Sequence, residues 1–571
     1  MAKAKDLIAR VVAEAGIQHV FGLPGGGTLE IFDGLYDHRD SVTSLLVRHE
    51  HGASIMADAY ARASGRPALI MGQGAFIGSN AAFGIMEAFV SSSPMVIVTD
   101  TSDGLMPQHP ANQSVTGDYG SPDILAMFRA MTKYTTLAAT GKEAVIGTQL
   151  AIKHATSGRP GPAAVVFRSQ AVLDDIDEDR PPYIHPTQGY LSGSPAVAAQ
   201  DDVAHAAELL INAENPVIVA GNGVHISDAH DDLRALAEIL GAGIATTYKG
   251  KSAIAETHPL AVGMVGVFGQ EAANAVVGDA DVVLVVGAKL TPQDTVRERP
   301  SVFDPTRQKI LQVDIDPLNA GWTFPVESAL IGDARAVLAQ IVTACRETLR
   351  EDPLDTQARA QRLAEIKLQR SYYEHEMLHV DATPPAPQRV VRLVQEAVDP
   401  SALIALDAGN NRVWMCHFYQ AQQAKTFFCP GGLAGMGWAV PAALGLKVAQ
   451  PGRPVLGVSG DGGFMMSVHA IATAVQYGLP VVWLVMNDSS LGMVRQHQKD
   501  RLTVSEFGAF DHARIAQGFG ADGLRVEDAR DLPDAIRAAF ASGRPTVVDA
   551  VIDRTHAVDD FRVVPRRASE T

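Results

Sequence analysis

Short, continuously apolar runs alternate with helical periodicity along nearly the whole chain. "HVFGL" (19–23), "PALIMG" (67–72) and "PMVIVTD" (94–100) come early, and "PVIVAG" (216–221), "DVVLVVG" (281–287) and "KILQVDI" (309–315) lie in the middle. "ALIALDAG" (402–409), "RPVLGVSGDG" (453–462), "PVVWLVMND" (480–488) and "TVVDAVID" (546–553) follow late. Strands that are apolar on both faces are strands covered by helices on both faces, so the expected fold class is α/β, with three doubly wound parallel sheets. Polar, Pro-rich connectors divide the pattern: "DDIDEDRPPYIHPTQGYLSGSP" (174–195), and a charged helical stretch that ends in "VDATPPAPQ" (380–388). Domains are therefore expected at 1–175, 195–345 and 385–550, followed by a tail, 551–571. The first and third share a strand–helix rhythm without a residue-level repeat.

The composition agrees with several ordinary cores: 571 residues, 47% hydrophobic and 19% charged. No apolar run is long enough to span a bilayer, and "MAKAKDLIARVVAEAG" reads as an amphipathic helix instead of a signal peptide. Cys345, Cys416 and Cys429 lack zinc or disulfide spacing, so a cytoplasmic protein is expected. A net charge of −17 argues against nucleic acid or an anionic membrane as partner.

The third block carries the most specific chemistry. The strand "VLGVSG" runs into Gly460, Asp461, Gly462 and Gly463 and then a helix, and a later strand ends in "VMNDSSLG" (485–492). Parallel sheets present ligands at the carboxyl ends of their strands, so the two turns can share one crevice. Glycines admit a diphosphate close to the backbone, a helix N-terminus favours its charge, and Asp461 with Asp488 offers hard oxygens to Mg²⁺. A lone Gly-Asp-Gly is also what an ordinary strand-to-helix turn shows; the second turn shifts the reading toward phosphate and metal. In the first block, "LVRHEHGA" (46–53) follows an alternation expected to be a buried strand and leads into the helical "SIMADAYARASG". Taken alone, Glu50 between His49 and His51 reads as a helix cap or a surface ion pair.

These motifs together resemble the thiamine diphosphate-dependent enzyme superfamily, in its acetolactate synthase-like branch. The likeness runs end to end: "FGLPGGGTLEIFDGL" (21–35), "RHEHGASIMADAYARASG" (48–65), "SGRPGPAAVV" (157–166), "DIDP" (314–317), "GGLAGMGWAVPAALG" (431–445) and "LGMVRQHQ" (491–498). The resemblance implies a pyrimidine-binding first domain, a nucleotide-fold middle domain and a diphosphate-binding third domain. It implies that Glu50 bonds the aminopyrimidine of thiamine diphosphate, sharing a proton and not merely carrying charge. It gives Met436, with Gly435, the place of the residue that props the cofactor in its bent shape. Asp461, Asp488 and the Ser490 carbonyl fall on the Mg²⁺ ligands, and Asn410 and Asn411 of "AGNN" on the diphosphate-contacting loop. Gly460, Gly462, Gly463, Gly492 and Met493 complete the cofactor motifs. Gly25 and Gly26 offer N–H groups to a reacting oxygen. The family places its cofactor between two subunits, so a homodimer or homotetramer is expected.

The substrate side departs from the family. Gln113 in "HPANQSV" fits a family glutamine, but the aromatic before it is absent and Ser114 stands for the following acid. Lys133 fits a lysine near the pocket. His497 stands where the family has an acceptor-selecting tryptophan, which changes the size and polarity of the acceptor site. "GQGAFIGSN" (72–80) carries Phe76 and Ile77 in place of Pro and Gly. "AGNGV" (220–224), "VGAKL" (286–290) and "GD" (332–333) resemble segments that hold FAD or ADP in relatives, with Lys289 replacing an arginine fork. The expected reaction is decarboxylation of a pyruvate-like 2-keto acid with carboligation to a carbonyl acceptor, Gln113 and His497 orienting the substrates. Cleavage of a 2-hydroxyacyl-CoA or a cyclic diketone is the alternative, and the arginines of the tail "FRVVPRRASET" could meet an acidic substrate.

Overall fold

The structure, a computed structural model, describes residues 1–103, 112–118, 120–191 and 193–561. Among these residues, β1 (Ala2–Lys3) and β8 (Asp175–Ile176) form a small antiparallel pair. The first large sheet is parallel throughout and contains β2 (His19–Leu23), β3 (Thr43–Leu46), β4 (Ala68–Gly72), β5 (Met95–Asp100), β6 (Tyr134–Ala138) and β7 (Pro162–Phe167), in the order β3-β2-β4-β5-β7-β6. The second holds β9 (Pro216–Ala220), β10 (Gly243–Thr246), β11 (Ala261–Met264), β12 (Val282–Val286), β13 (Lys309–Asp314) and β14 (Ser328–Ile331), in the order β11-β10-β9-β12-β13-β14. The third holds β15 (Leu403–Leu406), β16 (Phe427–Phe428), β17 (Val455–Gly460), β18 (Val482–Asn487), β19 (Asp522–Val526) and β20 (Thr546–Val551), in the order β16-β15-β17-β18-β20-β19.

The expected fold class is the one observed, with helices between successive parallel strands. The middle sheet has the strand order of a dinucleotide fold, and the first and third share a different order, so the rhythm common to those two blocks reflects a common topology. Central strands are apolar on both faces because both faces are covered: every residue of β4, β5 and β7 is buried. The strand before "LVRHEHGA" corrects its expectation. β3 lies at the sheet edge and only Leu45 in it is buried. An edge strand has one neighbour and one covered face, so alternation there does not signal burial.

Contacts gather the chain into two compact units. One comprises Met1–Gly193 with Gly431–Pro451 and Ser467–Leu479; the other comprises Ser194–Pro430, Gly452–Met466 and the chain from Pro480 onward. In the first unit, the helix Ala439–Ala449 lies close against the helix Glu50–Ser64, where the backbone of Met56 meets Gly445 so closely that a Cβ there would sit 2.3 Å from the Met56 carbonyl oxygen. The second unit contains the other two sheets.

Candidate active site

In the first unit, the helix Glu50–Ser64 begins where the His49 side chain accepts the His51 backbone N–H at 3.2 Å. The cap expected of this stretch is therefore supplied by His49. Glu50 occupies the first helical turn, 8% exposed, and its Oε2 accepts a hydrogen bond from Asn80 Nδ2 at 3.0 Å. His51 stacks on Phe83, its ring centroid 5.3 Å away. Burial, then the neighbouring His469 and His49, pushes its pKa down to about 4.

Gly25 and Gly26 form the turn between β2 and the helix Thr28–Tyr36. Gly26 has φ +57°, and a Cβ there would lie 2.5 Å from Asp100 Oδ2, so this position requires glycine on two counts. Asp100, fully buried at the end of β5, holds the turn in place. Its Oδ2 accepts Gly27 N–H at 2.8 Å and Ser169 Oγ at 2.8 Å; its Oδ1 accepts Gly74 N–H at 3.1 Å and Ser102 Oγ at 3.2 Å. Next to Gly25 stands Gln73, whose Nε2 donates to Gln113 Oε1 at 2.5 Å, with Gln113 exposed and in the left-handed region at φ +69°. Thus Gly25, Gly26 and Gln113 come together through two residues the sequence reading passed over, Gln73 and Asp100. An aspartate closing an otherwise apolar strand was the available signal for the second. Lys133 is not free for a pocket, because its Nζ donates to the carbonyls of Ser157 (2.9 Å) and Arg159 (2.6 Å).

The same unit carries Gly435 and Met436. Gly435 abuts Phe83, whose ring would lie 2.3 Å from an added Cβ, and Met436 is half-buried.

In the second unit, the carboxyl ends of β15, β17 and β18 form a polar cup. Asp461 opens the short helix Asp461–Met466 directly after β17 and is 4% exposed. Burial, followed by the nearby Asp488 charge, pushes its carboxyl up to about 7, and burial also raises Asp488. Asp488 Oδ1 accepts the Ser490 N–H at 3.0 Å. Gly492 admits its neighbours closely: a Cβ there would lie 2.5 Å from Asp488 Oδ2 and 3.1 Å from Asn410 Nδ2. Asn410 is buried with neither side-chain atom partnered among the described residues, and Ser490 Oγ is likewise unpartnered. Asn411 is buried, and its Nδ2 donates to the carbonyls of Asp407 and Val458, each at 3.3 Å, which ties the ends of the two strands together. Gly460 and Gly463 line the same turn, and Gly462 is buried within it. Met493 packs partly against the core of this sheet, while His497 is exposed on the helix Gly492–Gln498. A buried carboxylate and a half-buried one, beside amide and hydroxyl groups unpartnered among the described residues, are a donor set that fits a hard divalent cation and a diphosphate. The tail arginines Arg562, Arg566 and Arg567 lie outside the described residues.

Comparison with known proteins matches three segments of the chain. Residues 2–113 match the N-terminal TPP binding domain of thiamine pyrophosphate enzymes, residues 203–341 their central domain, and residues 407–550 their C-terminal TPP binding domain. A protein named probable acetolactate synthase large subunit from Methanocaldococcus jannaschii is 32% identical over 97% of this chain and 93% of its own length. The acetolactate synthase large subunit of Corynebacterium glutamicum is 30% identical over 95% of this chain and 86% of its own. The chain therefore belongs to the thiamine diphosphate-dependent enzymes, in the acetolactate synthase-like family.

Proposed function

We propose that the protein decarboxylates a pyruvate-like 2-keto acid and joins the remaining carbon unit to a carbonyl acceptor. The observation that carries this reading is the cup of Asn410, Asp461, Asp488 and Gly492, whose buried polar groups suit the cofactor's diphosphate and its Mg²⁺. Asp461, Asp488 and the Ser490 carbonyl would hold the metal, and Asn410 the diphosphate. Thiamine diphosphate, when bound, supplies a carbon nucleophile and an electron sink for loss of CO₂. The protein's part is to place protons and exclude water. Glu50 holds a proton at the aminopyrimidine nitrogen, and Asn80 fixes the carboxylate's orientation. The Gly25 and Gly26 amides, in the turn that Asp100 holds through the Gly27 N–H, would meet the oxygen on which charge develops. Gln113, braced by Gln73, and His497 orient donor and acceptor. The active unit is a homodimer or homotetramer.

In the central domain, Asp314 at the end of β13 accepts Asn319 Nδ2 at 2.6 Å, and the Thr246 hydroxyl at the end of β10 is buried with no partner among the described residues. These groups support an adenine nucleotide, FAD or ADP, at this edge, and the absorbance spectrum of the purified protein distinguishes the two. No helix among the described residues is long and apolar enough to cross a membrane.

The test is incubation with thiamine diphosphate, Mg²⁺ and either pyruvate or a 2-hydroxyacyl-CoA, following CO₂ release and products by NMR. CO₂ and a 2-hydroxy-3-keto acid from pyruvate are expected. Consumption of the CoA ester, with pyruvate inert, would replace this reading by the cleavage alternative.

A further inference from the structure

The segment leading to Met436 is held in an unusual way. Glu87, fully buried, accepts three successive backbone N–H groups: Gly432 at 3.2 Å, Leu433 at 2.8 Å and Ala434 at 3.1 Å. Successive N–H groups converging on one point form an anion-binding concavity, here filled by the protein's own carboxylate. Ser91 Oγ donates to the same carboxylate at 2.6 Å. Arg62 bridges it at 3.0 Å to a second buried carboxylate, Asp58, at 2.8 Å. Asp58 in turn accepts the Trp438 indole N–H at 3.0 Å. Between these two anchors, Ser467 Oγ donates to the Gly437 carbonyl at 2.6 Å, and His51 Nε2 lies 3.2 Å from that hydroxyl.

The backbone so held is costly on its own. Ala434 sits in the left-handed region at φ +59° and Gly437 at φ +86°. A non-glycine residue keeps such a conformation only where its surroundings over-determine it. A core needing only charge balance would match one carboxylate to Arg62; this one buries two and directs the surplus acceptors at the backbone before Gly435 and at the Trp438 indole after Met436. We propose that the Asp58–Arg62–Glu87 array is a positioning device that sets the Gly432–Trp438 segment, and with it Met436, in the shape that receives the cofactor. The proposal rests on the reading of Met436 as a cofactor contact. Two of its members, Asp58 and Arg62, share one helix with Glu50, so the proton-holding carboxylate and the Met436 segment are referred to a common rigid element.

The test uses the full-length chain and the variants Glu87→Gln, Ser91→Ala and Met436→Ala. Hydrogen exchange of the peptide spanning Gly432–Trp438 is read without cofactor, and thiamine diphosphate affinity is read by intrinsic fluorescence with Mg²⁺ present. Glu87→Gln places an amide N–H₂ against backbone donors, so exchange in the segment should rise about ten- to hundredfold. Affinity should fall several-fold while far-UV circular dichroism is kept. Ser91→Ala leaves all charges in place and gives the same two changes in smaller measure, which covers the case in which Glu87→Gln fails to fold. Unchanged exchange in the folded variants overturns the array as a positioner. Raised exchange with unchanged affinity overturns the proposal through its premise. Met436→Ala separates the two cases, since it should weaken affinity and leave exchange at 432–434 unaltered if the premise holds.

Discussion

The first and third sheets share one strand order yet treat their buried carboxylates in opposite ways. At the end of β5, Asp100 is satisfied by two backbone N–H groups and two serine hydroxyls, and those bonds draw three turns together. At the ends of β17 and β18, Asp461 feels the charge of Asp488 beside an amide and a hydroxyl that have no partner among the described residues. A carboxylate whose lone pairs are filled by the protein builds shape. One left beside unspent donors is ready for a ligand, because burial without compensation is unfavourable and a cation removes the penalty.

The contrast can be broken by mutation, beginning with the largest effect. Glu50→Gln should lower turnover by about a hundredfold or more with folding retained, as for loss of a general acid–base group, measured by steady-state CO₂ release. Asp461→Ala should abolish the thermal stabilisation that thiamine diphosphate and Mg²⁺ give the wild type, which at saturating ligand corresponds to about 3 kcal/mol; a retained shift would move the metal site elsewhere. Asp100→Ala should do the reverse, destabilising the ligand-free protein by about 2–4 kcal/mol in urea titration because two buried N–H groups lose their acceptor. Gly26→Ala should cost about 1–2 kcal/mol for the left-handed backbone, plus crowding against Asp100, and raise KM for the keto acid.

The smallest effect is a pH dependence. His51 has a folded pKa near 4, depressed from 6.5 by burial, so the unfolded chain binds more protons between those values. Its contribution to stability is present above about pH 6.5 and is lost as pH falls toward 4. Thermal melts of His51→Gln should accordingly lose less stability than wild type across that window.

What was legible in the sequence had a local cause. All ten apolar runs quoted above fall on strands, because a doubly covered parallel strand must be apolar continuously. Among the strands not marked by such a run, β6, β16 and β19 are edges; β6 and β19 are partly exposed and β16 is two residues long, which leaves weak patterning. The glycine turns and the Gly-Asp-Gly cup were visible because backbone approach and helix entry restrict residue type within a few positions. Partnership was not visible. The motif puts Lys133 near the pocket and Asn411 on the diphosphate-contacting loop, but that the Lys133 ammonium holds the Ser157 carbonyl and the Asn411 amide the Asp407 and Val458 carbonyls is written nowhere in it.

The sequence by itself determined the three parallel sheets, the family, and the positions of Glu50, Asp461 and Met436, since each is written in contiguous residues. Only the tertiary structure decided which groups are spent and which are free: Asn80 on Glu50, Asp100 on the Gly26 turn, and Glu87 on backbone 345 to 347 residues away. Side-chain hydrogen bonds reach about 3 Å in space but are unconstrained in sequence separation, so no periodicity records them.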